Sequence, residues 1–216
     1  MNERVTFYVD GFNFYYGLKA KKKTDRTWKS AYWIDTVKLF SQFLSPNQIL
    51  EKVVYFTASP LNQEKSNRQG VFLNANKLLN ADKFEVVRGK YLKKIVECPQ
   101  CKYAISKPEE KKTDVNVAIR MISDCIENKT DVIVLVSGDS DILPPVEFIQ
   151  QKYPKKKIRV YFPPTIFSVD LKSNIKHHNG KIVFLENNFK KFADSIMPDV
   201  VSKNGKTYTI PEKWKI

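Results

Sequence analysis

Short apolar runs alternate along this chain with stretches in which apolar residues recur at helical spacing. Val132–Val136 is unbroken and rich in β-branched residues, the pattern of a strand buried on both faces in a parallel sheet. Arg4–Val9, Ile49–Ala58, Phe84–Val87, Ile158–Phe162 and Lys181–Leu185 read as further strands. Tyr91–Val96 reads as a hairpin extension of the third. Helical spacing predicts helices from Phe14, over Trp33–Leu44 and Asn62–Asn80, and from Thr113 with an inward face of Val115, Ala118, Ile119, Ile122 and Ile126. Further helices are expected from Ile142, over Phe167–Ile175 and over Phe189–Met197. Strands alternating with helices predict an α/β fold around a central, mostly parallel sheet.

Two strands end in carboxylates. Arg4–Val9 runs into Asp10-Gly11-Phe12-Asn13, and Val132–Val136 into Ser137-Gly138-Asp139-Ser140-Asp141. Ligands of open α/β sheets bind at the carboxyl ends of the strands. Asp114 stands at a helix start. Each Asp, taken singly, is also a good helix cap, as is Thr113. Gly11 is expected to give the chain a sharp turn. If Asp10, Asp114, Asp139 and Asp141 converge, their repulsion calls for a hard cation, and oxygen ligands alone suit Mg²⁺ or Mn²⁺. Such an ion can activate water and stabilise a phosphodiester under attack. Asn13 would orient a ligand or the attacking water. Ser137 and Thr113 would hydrogen-bond a carboxylate or a phosphate. The two histidines, His177 and His178, lie away from every strand end, which argues against a histidine base.

Charge adds a partner. The 216 residues carry 37 Lys and Arg against 23 Asp and Glu, a net +14 that suits a polyanion. The run Lys21-Lys22-Lys23, read as part of a solvated loop beside Trp28, Tyr32 and Trp33, is a candidate nucleic-acid contact with Lys112 and Ser137. No apolar run spans a membrane, the N-terminus passes directly into a strand without a secretory leader, and three cysteines fit a reducing cytoplasm. Cys98 and Cys101 have the spacing of half a zinc site. Without two more ligands zinc is disfavoured, unless a second chain supplies them, so a homodimer stays open. One domain over residues 1–197 is expected, with a CxxC-containing insertion at about 88–112 and a polar tail over 198–216.

Three blocks together, Val9-Asp10-Gly11-Phe12-Asn13, Lys112-Thr113-Asp114-Val115 and Val136-Ser137-Gly138-Asp139-Ser140-Asp141, resemble the signatures of NYN domains, members of the PIN-like nuclease superfamily. The CxxC insertion resembles that of some bacterial members. The resemblance implies a Rossmann-like α/β/α sandwich and a metal-dependent ribonuclease site, with Asp10, Asp114, Asp139 and Asp141 binding the metal and Asn13 beside them. The resulting expectation is a Mg²⁺- or Mn²⁺-dependent endoribonuclease. The same chemistry serves DNA, and a non-catalytic RNA-binding module is the alternative. A phosphatase would want a second Asp two residues after Asp10, where Phe12 stands.

Overall fold

The computed structural model describes residues 2–215, and of residues 106–108 the backbone alone; Met1 and Ile216 lie outside the described residues. Six strands form one parallel sheet: β1 (Glu3–Asp10), β2 (Gln48–Thr57), β3 (Phe84–Arg88), β6 (Val132–Val136), β7 (Lys157–Phe162) and β8 (Lys181–Phe184). Their spatial order is β3-β2-β1-β6-β7-β8. The chain winds outward from β1 to one edge, then returns to β6 and winds to the other. The order therefore reverses between β1 and β6, the point at which doubly wound sheets open a crevice.

Among the described residues seven helices cover the two faces: α1 (Gly11–Thr24), α2 (Thr36–Ser41), α3 (Gln63–Leu79), α4 (Thr113–Ile126), α5 (Leu143–Lys152), α6 (Val169–His177) and α7 (Phe189–Ala193). Alternate residues of β1 divide between the layers. Val5, Phe7 and Val9 join an aromatic-rich core with Phe14, Trp28, Trp33, Phe40, Phe192 and Trp214. Tyr8 joins an aliphatic one with Val117, Met121, Val146, Ile149, Leu171 and Ile175. This is the expected three-layer α/β/α arrangement.

Several elements differ from their sequence expectation. The lysine run is not a loop but the last turns of α1, where cations meet the negative end of the helix dipole. The helix expected over Trp33–Leu44 narrows to α2, because Asp35 caps at Lys38 N (2.9 Å) and Arg26–Tyr32 forms a 3-10 stretch. Trp33 instead donates its indole N–H to Pro198 O at 2.8 Å. The inward face of α4 is Val117, Met121 and Cys125, with Val115, Ile119 and Ile126 exposed. Gly11 turns without a positive φ; its missing Cβ matters because one would lie 2.4 Å from the Tyr55 ring. The closing helix stops at Ala193. The segment after Pro198 forms a hairpin of β9 (Val200–Lys203) and β10 (Lys206–Thr209), and Trp214 enters the aromatic core against Tyr32 and Phe72.

One buried acid is purely structural. Asp124 of α4, 3% exposed, accepts from the Tyr8 hydroxyl at 2.9 Å and from Arg120 Nε. The Arg120 fork continues to Glu85 of β3 at 2.6 and 3.1 Å. Asp124→Ala strands an arginine and a hydroxyl inside the protein, so a loss of about 3 kcal/mol is expected, read as a lower urea midpoint.

Candidate active site

The reversal between β1 and β6 brings two strand ends together. Val9 pairs with Val136, so Asp10 emerges beside Ser137. Asp10 caps α1 and is 4% exposed. Its Oδ1 accepts from the Phe12 and Asn13 amides, both at 3.0 Å. Its Oδ2 accepts from Asn13 Nδ2 at 2.5 Å and from the Ser137 hydroxyl at 3.0 Å. Asn13 Oδ1 in turn accepts from Gly138 N at 3.3 Å, and Ser137 Oγ accepts from Asp139 N at 3.1 Å. Asp139 Oδ1 then caps Asp141 N at 3.0 Å. One hydrogen-bonded chain thus links Asp10, Asn13, Ser137, Asp139 and Asp141.

That chain revises two sequence expectations. Both ends of the Asn13 amide are engaged, so Asn13 positions the Asp10 carboxylate rather than a water. Ser137 is fully buried and its hydroxyl serves Asp10, which removes it from contact with a nucleic acid. Asp10 is a cap and a member of the cluster at once, so those two readings do not compete.

Asp114, in the first turn of α4, faces the same cleft. Its carboxyl is pushed up to about 6, by partial desolvation first and then by Asp139, Asp10 and Asp141. Burial likewise raises Asp10 against the pull of its donors. Thr113 does not cap α4; its hydroxyl bonds the Glu110 carboxylate. The cap position is Lys112, exposed and in left-handed backbone (φ 76°).

Glu110 is the site residue the sequence concealed. The stretch read as a charged loop is β5 (Ala104–Lys111), paired antiparallel with β4 (Lys90–Glu97). Tyr91 and Glu110 are cross-strand partners at the base of this ribbon. Burial and the Asp114 charge raise the Glu110 carboxyl, and Glu110 in turn acts on Asp10. The signal available was the pair Glu109-Glu110 just ahead of Thr113-Asp114, but only the ribbon brings it inward. Cys98 and Cys101 sit at the opposite end of the ribbon, in a turn closed by Lys102 N to Cys98 O at 2.9 Å. Among the described residues no third Cys, His, Asp or Glu joins them, and Cys125 is buried on α4.

The sequence matches the NYN domain family over residues 4–180. The chain belongs to that family. NYN domains are part of the PIN-like superfamily and are generally nucleases that act on RNA, usually with divalent metals. The domain is also 28% identical over 180 residues, 68% of its length, to a 6-hydroxy-3-succinoylpyridine 3-monooxygenase from Pseudomonas putida (strain DSM 28022 / S16). It spans 55% of that protein's length. A crystal structure of a protein of unknown function from Vibrio parahaemolyticus RIMD 2210633 shares the fold, with TM-score 0.52 and 21% identity over 84% of this chain and 92% of that one. Among the described residues no helix of this NYN protein is long and apolar enough to cross a membrane.

The chemistry of the NYN donor set fits a hard divalent cation: every candidate ligand is a carboxylate oxygen, and the carboxylates repel one another without one. Among the described residues no three of them close on a single point. The set therefore suits an ion that keeps several of its waters.

The raised Asp114 carboxyl has a stability consequence. Unfolded, it ionises near its ordinary 3.8; folded, near 6. Between those values the unfolded chain loses the proton first, so stability falls as pH rises through the window and the deficit is complete above it. Asp114 is largely exposed, and screening limits the effect to about 1 kcal/mol. In EDTA, Asp114→Asn is expected to raise the melting midpoint near pH 7 by about 2–4 °C and leave it nearly unchanged near pH ~3, below the unfolded value, measured by differential scanning calorimetry.

Proposed function

We propose that this NYN domain is a Mg²⁺- or Mn²⁺-dependent endoribonuclease. The observation that carries the reading is the gathering of Asp10, Asp114, Asp139 and Asp141 at the sheet's point of reversal, coupled closely enough that three of them act on the fourth. Asp139, Asp141 and Asp114 are the more exposed members of the cluster and Asp10 the buried one. A divalent ion held there would supply charge stabilisation for the phosphodiester and a more acidic water.

The remaining work falls to the protein. The four donors on Asp10 oppose the upward push of burial on its carboxyl and fix it in place, which sets the positions of Asn13 and Ser137 and through them Asp139. Lys112 stands exposed one residue from Thr113 and two from Asp114, placed to meet a phosphate on its way into the cleft. The net +14 draws the polyanion in, so affinity falls as salt rises.

Asp10→Asn is a poor probe, because its amide N–H₂ would face two of the four donors whichever way it turned. Asp139→Asn is better, since Asp139 is half-exposed and outside both cores. Purified protein is incubated with labelled single-stranded RNA and DNA in Mg²⁺, in Mn²⁺ and in EDTA. RNA cleavage that needs the metal and falls at least about 100-fold in Asp139→Asn is expected. Binding without cleavage in every condition would replace the reading with an RNA-binding module.

A further inference from the structure

A pocket of about 340 Å³ opens between α1 and α3, next to the carboxylates. Phe12 and Tyr16 line it from α1, Leu61 and Arg68 from the start of α3 and the turn before it, and Tyr91 and Glu110 from the β4–β5 ribbon. Phe12 and Tyr16 are each 41% exposed and Leu61 48%, so apolar surface is left open around a concavity. The volume lies at the small end of ligand pockets, roughly 300–1,000 Å³, and suits one or two rings.

We propose that this pocket binds one unpaired nucleobase of the strand whose phosphate lies at the carboxylate cluster. The proposal rests on the ribonuclease reading and deepens it by naming how the site chooses its substrate.

Three features favour a base of a polymer over a free aromatic molecule. First, the pocket and the cluster share a boundary. Glu110 lines the pocket and acts on Asp10, and Gly11, which follows Asp10, lines it too. A nucleotide's base and phosphate could therefore occupy the two compartments together. Second, the aromatics continue as a basic stripe. Phe12, Tyr15, Tyr16, Lys19 and Lys22 fall at helical spacing on α1, with Lys19 Nζ 5.3 Å from the Tyr16 ring centre and Lys22 Nζ 5.8 Å from that of Tyr32. Aromatic faces for bases beside cations for phosphates form a track for a single strand. Third, the polar groups suit a base edge. The Glu110 carboxylate accepts from an exocyclic amine, and Arg68 and Lys65 stand at the rim.

The track also revises the lysine assignment. Lys22 lies on the stripe. Lys23, four residues after Lys19 and seven after Tyr16, lies on it too; Lys21 alone is turned off it by the helical spacing, and Lys19 joins the other two.

The test measures binding in EDTA, where no cleavage is expected, so it does not depend on catalysis. Single-stranded RNA carrying 2-aminopurine at one position is compared with the same strand made abasic there, and the position is scanned. At one position, binding to the wild-type protein should quench the fluorophore, and the abasic strand should bind about 10-fold more weakly. Tyr16→Ala, a change at an exposed ring, should abolish both differences, and Tyr16→Phe should keep them. If intact and abasic strands bind alike at every position, or Tyr16→Ala still discriminates, the proposal is wrong. Metal-dependent cleavage indifferent to abasic substitution would overturn the pocket while keeping the ribonuclease. Base-dependent quenching lost in Tyr16→Ala, with no cleavage in any metal, would support the pocket and overturn the ribonuclease. A free hydroxypyridine carboxylate that displaces no RNA but binds in a Tyr16-dependent way would reassign the pocket to small aromatic molecules.

Discussion

The buried carboxylate of Asp10 is the constraint on which the site depends. An ionised group this deep is costly unless its lone pairs are met, and a bare one would cost several kcal/mol. Four donors from two segments meet it: two backbone amides and the Asn13 side chain on α1, and the Ser137 hydroxyl after β6. The contacts that make the charge tolerable also tie the first strand to the fourth. Asp139 and Asp141 are held through the same links, since Ser137 carries Asp139 N and Asp139 carries Asp141 N. The placement of the outer acids is thus a consequence of satisfying the inner one.

The cluster works against the stability of the fold, and the sheet bears that load. The carboxyls of Asp114, Asp10 and Glu110 are all raised, by burial first and then by the neighbouring carboxylates, so each ionised form is disfavoured relative to the unfolded chain. Below them β6 and the carboxyl-terminal halves of β1 and β2 are buried between two cores, with residues such as Val9, Phe56 and Val136 at 0% exposure. Rigid strands packed on both faces cannot relax to separate the charges. The repulsion therefore persists in the folded protein.

Much of this was legible from residue order. Parallel strands appear as unbroken apolar runs because both faces are covered, and Val132–Val136 is the plainest case. The acids at strand ends were visible because strand ends in such sheets converge. What stayed hidden had long-range causes. Glu110 looked like part of a charged loop because β5 exists only through pairing with β4, and its Lys, Glu and Pro residues carry no strand pattern of their own. The inward face of α4 was misread because its apolar residues cover most of the circumference. Asp124, Val117 and Cys125 win the inner side because Tyr8 of β1 meets Asp124 there, and Arg120 of the same helix ties Asp124 to Glu85 of β3. The terminal hairpin and Trp214 were hidden for the same reason, since Trp214 is drawn in by Tyr32 and Phe72, which lie far away in sequence.

The β4–β5 ribbon gives the domain a specificity element separable from its chemistry. The acids from β1, β6 and α4 come from the sheet and the helix that packs on it, so any chain that folds this way presents them. Tyr91 and Glu110 come from an insertion that leaves the sheet at Gly89, where a Cβ would sit 2.5 Å from Thr113 Oγ1. That close approach seats the base of the ribbon against the start of α4. One side of Glu110 then faces Asp114 and the other the aromatic pocket. A change in the ribbon would alter what enters the pocket without disturbing the Asp10 hydrogen bonds. A change in those bonds would disable the cluster whatever the pocket held. Proteins built on this sheet can accordingly diverge in what they recognise while the strand-end acids stay in place, because the two functions rest on different packing.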